Sequence, residues 1–171
     1  IFSGRHAHAG PVPGFLDIWK ANAPSLATEL SLAGYHSAYF GKWHLSTEGK
    51  GPVPRAFRAG YGDWLAANCV ELTSGPYSAR LWDENDNEVQ LPGYRVDAQT
   101  DAMIRWLHDR SREEQPFLCF HSFLEPHHQN TDDSYPPPRG MEDPYRDVPL
   151  PPDLQALGGS APQHWPGYCG M

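Results

Sequence analysis

Two short polar segments carry the side chains best suited to chemistry, and each follows an apolar run. The first is G-K-W-H-L at residues 41–45, and the second is E-P-H at residues 125–127. Lys42 and His44 are two residues apart, so in extended backbone both side chains leave the chain on one side, about 6 to 7 Å apart. An ammonium and an imidazole at that separation can contact different oxygens of one tetrahedral anion.

The context of these side chains bears on whether they form a site. A Lys-x-His pair taken alone is more often a solvated lysine and a hydrogen-bonded loop histidine. Lys42, however, is one of three lysines in the chain and follows an apolar run, at the position where open α/β sheets bind ligands. His127 follows the second run in the same way, and Pro126 restricts the chain before it, which reduces the freedom lost on binding. His128 is more typical of a polar loop or a weak metal-binding patch.

The elements that must position the two clusters follow a helix-then-strand order that occurs twice. Apolar spacing predicts a helix over 24–33, with Pro24 in its first turn, and a strand over 35–40 that ends in a turn at Gly41. A second helix is predicted over 96–112, and a strand over 117–123 that is typical of burial on both faces. Two such units imply an α/β fold with a doubly wound, mostly parallel sheet and flanking helices. Both clusters then lie at the carboxyl edge of that sheet.

The other segments are predicted to be peripheral. Residues 45–93 are rich in turn formers, include a predicted hairpin with its turn at 83–87, and are interpreted as an insertion at the rim. From residue 126 onward the chain holds 10 of its 18 prolines, which excludes a regular core there. We therefore expect residues 1–171 to be one incomplete domain with a proline-rich irregular tail. The missing initial Met and uncapped ends indicate a fragment of a longer protein.

Composition excludes several classes of partner. The net charge of -8 and pI near 5.5 argue against nucleic acid and anionic membrane surfaces, because both need clustered Lys and Arg. No apolar run approaches the roughly 20 residues of a membrane span. The acidic residues gather in turns such as 83–84 and 132–133, so we expect no complete metal site in this chain. Three scattered cysteines are interpreted as ordinary thiols.

The first cluster resembles the signature of a known enzyme family. Residues 34–45, G-Y-H-S-A-Y-F-G-K-W-H-L, are similar to the G-Y-x-T-A-x-x-G-K-W-H-L signature of sulfatases, members of the alkaline-phosphatase-like superfamily. The flanking segments occur in the family order. Residues 3–8 resemble the T-G-R-x-x-H segment after the nucleophile, 25–30 the helix before the signature, 116–127 the strand ending in P-H, and 167–171 the Y-Y-G motif of a later helix. The resemblance spans essentially the whole chain.

The resemblance implies an internal part of the N-terminal catalytic domain of a sulfuric ester hydrolase. Such enzymes use a formylglycine nucleophile, made from Cys or Ser in a C/S-x-P-x-R motif, and a divalent cation, usually Ca²⁺, that binds the sulfate oxygens. The nucleophile motif is then expected shortly before Ile1 and the first metal-binding Asp pair earlier still. The remaining metal ligands are expected beyond Met171, which leaves no metal ligand set in this chain. None of the three cysteines stands in such a motif, so none is a candidate nucleophile: Cys69, Cys119 and Cys169.

Carried over residue by residue, the resemblance implies three catalytic side chains. Lys42 binds the sulfuryl oxygens and screens the leaving group. His44 hydrogen-bonds the formylglycine hydrate or serves as its base, and His127 binds a sulfate oxygen or protonates the leaving alkoxide. Ser46 departs from the family, which usually has Gly there, and this departure concerns the path of the loop. Arg5 is expected to be structural.

Three functions are compatible with these residues. The leading one is a sulfatase acting on a sulfated small molecule or carbohydrate. The second is a phosphonate or phosphate ester hydrolase of the same superfamily, and the third is a non-catalytic anion-binding relative that keeps Lys42 and His127 but lacks the nucleophile. The residue at the nucleophile position separates them. The isolated chain is predicted to be inactive, because it lacks the nucleophile and the metal.

Overall fold

A computed structural model of the protein shows two compact units, Ile1–His127 and His128–Met171. The first unit contains every strand described below. In the second, the residues that the structure describes include one short 3₁₀ helix, Asp143–Tyr145. The described residues are 1–14, 17–21, 23–127, 129, 135–149 and 151–152.

The first unit is built on one five-stranded sheet. Its strands are β1 His36–Lys42, β2 Asp63–Ala67, β3 Ser78–Asp83, β4 Glu88–Pro92 and β5 Phe117–Ser122. Their order across the sheet is β4-β3-β2-β1-β5. β1 pairs in parallel with both β2 and β5, whereas β3 pairs antiparallel with β2 and β4. The predicted α/β class, with its two cluster-bearing strands parallel, is confirmed.

Among the described residues of the first unit, three α-helices accompany the sheet. They are α1 Leu26–Leu32, α2 Val70–Thr73 and α3 Arg95–Arg110. α1 begins later than predicted, because Ser25 caps it through a reciprocal capping box with Thr28. Pro24 therefore precedes the cap instead of occupying the first helical turn. In the described part of the chain, no helix combines the length and apolar character needed to cross a bilayer.

The two longer helices cover opposite faces of the sheet. Successive residues of a strand point to opposite faces. Tyr39 of β1 lies in the buried cluster that includes Ala27 of α1, whereas the next residue, Phe40, packs edge-on against Trp106 of α3 with ring centroids 6.0 Å apart. This two-sided cover is the doubly wound arrangement that the sequence predicts.

The strand β5 is not buried on both faces, so that prediction is wrong. β5 is the last strand of the sheet, and among the described residues no strand pairs with its outer side. None of its six residues is buried, and Phe117 is 36% exposed. An apolar run signals potential for burial, but the position of the strand in the sheet decides how much of it is covered.

The segment 45–93 is not an insertion at the rim, which corrects a second prediction. It contributes β2, β3 and β4 to the main sheet, and β2 lies directly beside β1. The predicted hairpin turn at 83–87 is confirmed, since the Asp83 carboxylate accepts hydrogen bonds from the backbone N–H groups of Asn85 and Asn87, both at 2.8 Å. The apolar W-L-A-A run at 64–67 is the signal for β2, but it is short for a strand and was masked by turn formers around it.

Candidate active site

The three residues singled out in the sequence lie at one edge of the sheet. Lys42 is the last residue of β1, and His44 follows it in the next turn of chain. His127 comes five residues after Ser122, which ends β5, and its backbone N–H donates to the Leu124 carbonyl at 2.9 Å. Because β1 and β5 are parallel neighbours, their carboxyl ends meet at the same edge.

The histidine at position 44 is in electrostatic contact with its neighbours. Its pKa is lowered, first by burial and then by the positive charges of Lys42 and His127, while the Glu71 carboxylate acts in the opposite direction. A lowered pKa leaves the imidazole neutral at neutral pH, so one ring nitrogen has a lone pair. His44 can therefore accept a proton or a hydrogen bond.

The strand passes through Gly41 instead of turning there, which corrects the predicted turn. Gly41 has φ +95°, and a Cβ at this position would lie 2.0 Å from the Ser122 carbonyl oxygen of β5. Only glycine fits this close approach and this left-handed backbone. The missing side chain therefore allows β1 and β5 to pair right up to the residues that carry the site.

An aromatic cluster packs around Tyr39 and supports the carboxyl end of β1. Tyr39 is 1% exposed, and its hydroxyl donates a 2.5 Å hydrogen bond to the Lys42 carbonyl. Five rings pack around it with centroids 4.9 to 5.9 Å away: those of Phe2, Trp43, Tyr61, Trp64 and Phe120. Offset and edge-on aromatic contacts of this kind are well packed and rigid. The backbone that presents Lys42 is thus fixed by the core.

Lys42 forms a buried ion pair that the sequence analysis missed. Its Nζ lies 2.9 Å from Oε1 of Glu71 in α2, and the two side chains are only 12% and 7% exposed. Glu71 follows the carboxyl end of β2, just as Lys42 follows β1. Had β2 been recognised, the rule that drew attention to Lys42 would also have drawn attention to Glu71.

A second buried ion pair holds the segment before His127. The Arg95 guanidinium, in a residue 1% exposed, donates to Glu125 Oε1 from Nε at 2.9 Å and from Nη2 at 2.5 Å. Its Nη1 donates to the Ser74 carbonyl at 3.3 Å, directly after α2. Arg95 therefore joins the segment that carries Glu71 to the segment that carries His127. Nothing in the local sequence indicates this pair either, because its members are 30 residues apart.

The loop after Lys42 is held by Asn68, the residue that directly follows β2. The Asn68 side chain, in a residue 3% exposed, accepts from the Ser46 N–H at 3.0 Å and donates to the Ser46 carbonyl at 2.6 Å. The backbone carbonyl of Asn68 accepts a hydrogen bond from the His44 N–H at 2.9 Å. His44 has φ +56°, a left-handed conformation that costs a non-glycine residue energy unless its surroundings impose it. The hydrogen bonds from Asn68 hold the backbone of residues 44–46 in this conformation. They also fix the path of the loop at Ser46, where the family usually has glycine.

Replacing Asn68 with alanine tests this clamp. Two half-buried backbone groups of Ser46 lose their partner, so we expect the free energy of unfolding of the full-length protein to fall by about 1 to 3 kcal/mol. We also expect His44 to leave its strained conformation and the turnover rate to fall. Denaturant unfolding and steady-state kinetics measure the two effects. Asn85→Ala is the matched control, since the Asn85 side chain bonds only at the exposed hairpin turn. Equal stability of the two variants would contradict the clamp.

Two cavities adjoin the histidine at position 44. The larger, about 420 Å³, is lined by His44 together with aromatic side chains and Arg5. The smaller, about 270 Å³, is lined by His44, Ser46, Asn68 and Cys69 on the other side. The surroundings of His44 at the carboxyl edge of the sheet therefore leave space that a ligand or another segment of the full-length protein can fill. Arg5 lies on the wall of the larger cavity, whereas the sequence analysis treats it as structural.

A metal ion and a thiolate nucleophile each place requirements on the side chains around them. Among the described residues, no three His, Cys, Asp or Glu side chains converge as ligands, so these residues do not fit a divalent cation. Burial raises the pKa of Cys69 and raises that of Cys119 to about 11, so both are neutral thiols at neutral pH. Outside the described residues lie His128, Cys169 and the motif at 167–171.

Fold and site together define an α/β protein with an anion-suited cluster at the carboxyl edge of its parallel strands. The sulfatase family model matches residues 1–150, and the chain belongs to the sulfatase family. It is 31% identical over 143 residues to the uncharacterized sulfatase YidJ of Escherichia coli K12, covering 77% of this chain and 28% of that protein. It is 24% identical over 127 residues to an N-acetylglucosamine-6-O-sulfatase of Bacteroides thetaiotaomicron, covering 74% of this chain and 21% of that protein.

The fold matches solved structures as well. One, described as a complex with its substrate D-glucosamine-2-N,6-O-disulfate, aligns with a TM-score of 0.65 and 23% identity. The alignment covers 90% of this chain and 28% of that one. This likeness shows the shared fold of the family. The chain spans less than a third of the length of the curated relatives that it matches.

Proposed function

We propose that residues 1–171 are part of the catalytic domain of a sulfatase, and that they bind the sulfuryl group and assist the leaving group. The observation that carries this proposal is that Lys42, His44 and His127 lie at one sheet edge, with Lys42 and His127 each within electrostatic reach of His44. A lysine that is only 12% exposed and two histidines provide donors for a tetrahedral anion.

The three side chains have distinct tasks in this proposal. The Lys42 ammonium binds sulfuryl oxygens and stabilises charge that develops as the ester bond breaks. The neutral imidazole of His44 hydrogen-bonds the nucleophile or takes its proton, and His127 donates to the leaving oxygen. Preorganised donors of this kind act most strongly in a site from which water is excluded.

The remaining chemistry comes from outside the described residues. Members of the family generally use a divalent metal, and we propose Ca²⁺ held by ligands beyond this chain. A formylglycine hydrate supplies the nucleophilic oxygen when present. Neither group enters the roles assigned here, which concern only what Lys42, His44 and His127 bind and protonate.

The substrate that we propose is a sulfate ester of a carbohydrate. Support comes from the relatives, one named as an N-acetylglucosamine-6-O-sulfatase and one solved with a glucosamine disulfate described as its substrate. The net charge of -8 makes a general attraction for polyanions weak, so recognition must come from local groups at the edge.

Two measurements on the full-length protein test this function. We expect the gene to encode a C/S-x-P-x-R motif upstream of Ile1, and the full-length protein to release sulfate from an activated aryl sulfate and from N-acetylglucosamine 6-sulfate. The isolated chain should release none. Release of phosphate from the matched aryl phosphate, without release of sulfate, would favour a phosphate ester hydrolase. Absence of both the motif and any turnover would favour an anion-binding relative.

A further inference from the structure

We propose that Glu71 is a positioning residue of the active site: its carboxylate holds the Lys42 ammonium at the place where it meets the sulfuryl oxygens. The inference rests on the proposed function of Lys42 and adds to it a residue that neither the motif nor its spacing indicates. The 2.9 Å contact between Lys42 Nζ and Glu71 Oε1, with the two side chains no more than 12% exposed, is the observation behind it.

The carboxylate stands on a rigid base. Val70, directly before it, is fully buried in a cluster with Ala67 and Leu81. On its other side, Thr73 and Ser74 bond through their hydroxyls to the Arg80 carbonyl of β3 at 3.1 and 3.2 Å. A short helix anchored on both sides holds the Glu71 backbone on the sheet. Oε1 is therefore a fixed point against which a long, flexible lysine can be held.

Lysine needs such a fixed point because its ammonium sits on a flexible four-carbon stem with many rotamers. An unanchored ammonium must be ordered when the anion binds, which weakens binding and transition-state stabilisation. An ammonium has three N–H donors, of which the Glu71 contact uses one. The remaining donors can face an anion while the stem stays in place.

The charges around Lys42 fit this role. His44 and Cys69 lie within electrostatic range of Lys42, and His127 lies within electrostatic range of His44. Glu71 is the negative charge among these groups, and Cys69 is a neutral thiol because burial raises its pKa. A carboxylate 2.9 Å from the ammonium favours a positive charge there, and the two histidines supply no negative charge to replace it. Glu71 thus compensates the charge of the lysine and holds it in position.

Kinetics of the full-length enzyme test the proposal through variants of differing charge. We expect Glu71→Gln to lower kcat/KM on an activated aryl sulfate about 10- to 100-fold, within the range known for losing a preorganised contact. We also expect it to move the alkaline limb of the pH–rate profile to lower pH. Glu71→Asp keeps the charge, so it should leave that limb in place while lowering the rate by a smaller factor. Glu114→Gln, an exposed change before β5, is the matched control.

A measurement that needs no turnover separates this proposal from the proposed function. In the full-length protein labelled with ¹³Cε-lysine, the resonance that disappears in Lys42→Arg should titrate at lower pH in Glu71→Gln than in the wild type. If that resonance and the alkaline limb both stay in place, Glu71 is only a structural residue and the proposal is overturned. If the resonance moves but the wild type releases no sulfate, the coupling of Lys42 to Glu71 stands and the sulfatase function fails. Thermal unfolding of Glu71→Asp identifies a variant that merely loses its fold.

Discussion

Replacing Lys42 with alanine is expected to lower kcat of the full-length enzyme on an activated aryl sulfate by about 10² to 10³, the usual loss on removing one preorganised donor to developing charge. His44 supplies no positive charge in its place, since burial lowers the pKa of that imidazole and leaves it neutral at neutral pH. Steady-state kinetics measure the effect. Arg112→Ala is the control, because Arg112 is exposed beyond the end of α3 and far from the carboxyl edge. Turnover as fast as in the wild type would refute the sulfate-binding role.

The ion pair between Lys42 and Glu71 means that Lys42→Ala changes stability as well as binding, and a double variant separates the two effects. Lys42→Ala leaves the Glu71 carboxylate buried without its ammonium, and breaking a buried pair costs about 3 to 5 kcal/mol of stability. Lys42→Met combined with Glu71→Gln removes both charges, which is often nearly neutral for stability. We expect the double variant to fold with a free energy of unfolding near that of the wild type and still to lose turnover. Recovery of activity in it would mean that Lys42→Ala acts only through stability.

Replacing His127 with alanine is expected to lower kcat by about 10² to 10³ as well, within the range of general acid catalysis. The loss should grow as the leaving group becomes poorer, because a poor leaving oxygen depends most on receiving a proton. A series of aryl sulfates with phenols of increasing pKa measures this dependence, and the variant should show the steeper slope. An equal loss on every substrate would leave His127 as a sulfate-binding residue and exclude the acid role.

The control for His127→Ala is His108→Ala. The His108 side chain is 66% exposed on α3, near the opposite edge of the sheet. We expect it to leave both the rate and the leaving-group dependence unchanged. A similar slope in the two variants would show that the change at position 127 acts through general disturbance and not through proton donation.

Much of the candidate site is predictable from local pattern. Residues 41–45 and 125–127 stand directly after apolar runs, and a repeated helix-then-strand order is enough to place both at one edge of a parallel sheet. The reason is that crossover connections between parallel strands are almost always right-handed, and that open α/β sheets bind ligands at the carboxyl ends of their strands. The resemblance to sulfatases rests on the same residues, and the family match over 1–150 agrees with it.

Contacts between distant residues were not predictable in this way. Lys42 meets Glu71 across 29 residues, and Arg95 meets Glu125 across 30. A charged residue in a loop is usually solvated, so nothing in its immediate sequence distinguishes a buried partner from a surface one. Only the packing of α2 on β3 brings Glu71 to Lys42.

The sequence by itself determined the fold class, the two strands that carry the site, and the lysine and histidines at their ends, because these depend on short-range periodicity and on residue type. The tertiary structure alone decided that residues 45–93 complete the sheet, that β5 lies at its edge, and that Glu71, Arg95 and Asn68 hold the site in place. Each of these depends on which distant segments bury their apolar faces together and satisfy each other's polar groups. That outcome is a property of the whole fold, and the one local signal for it, the short apolar run at 64–67 that forms part of β2, is too weak to predict it.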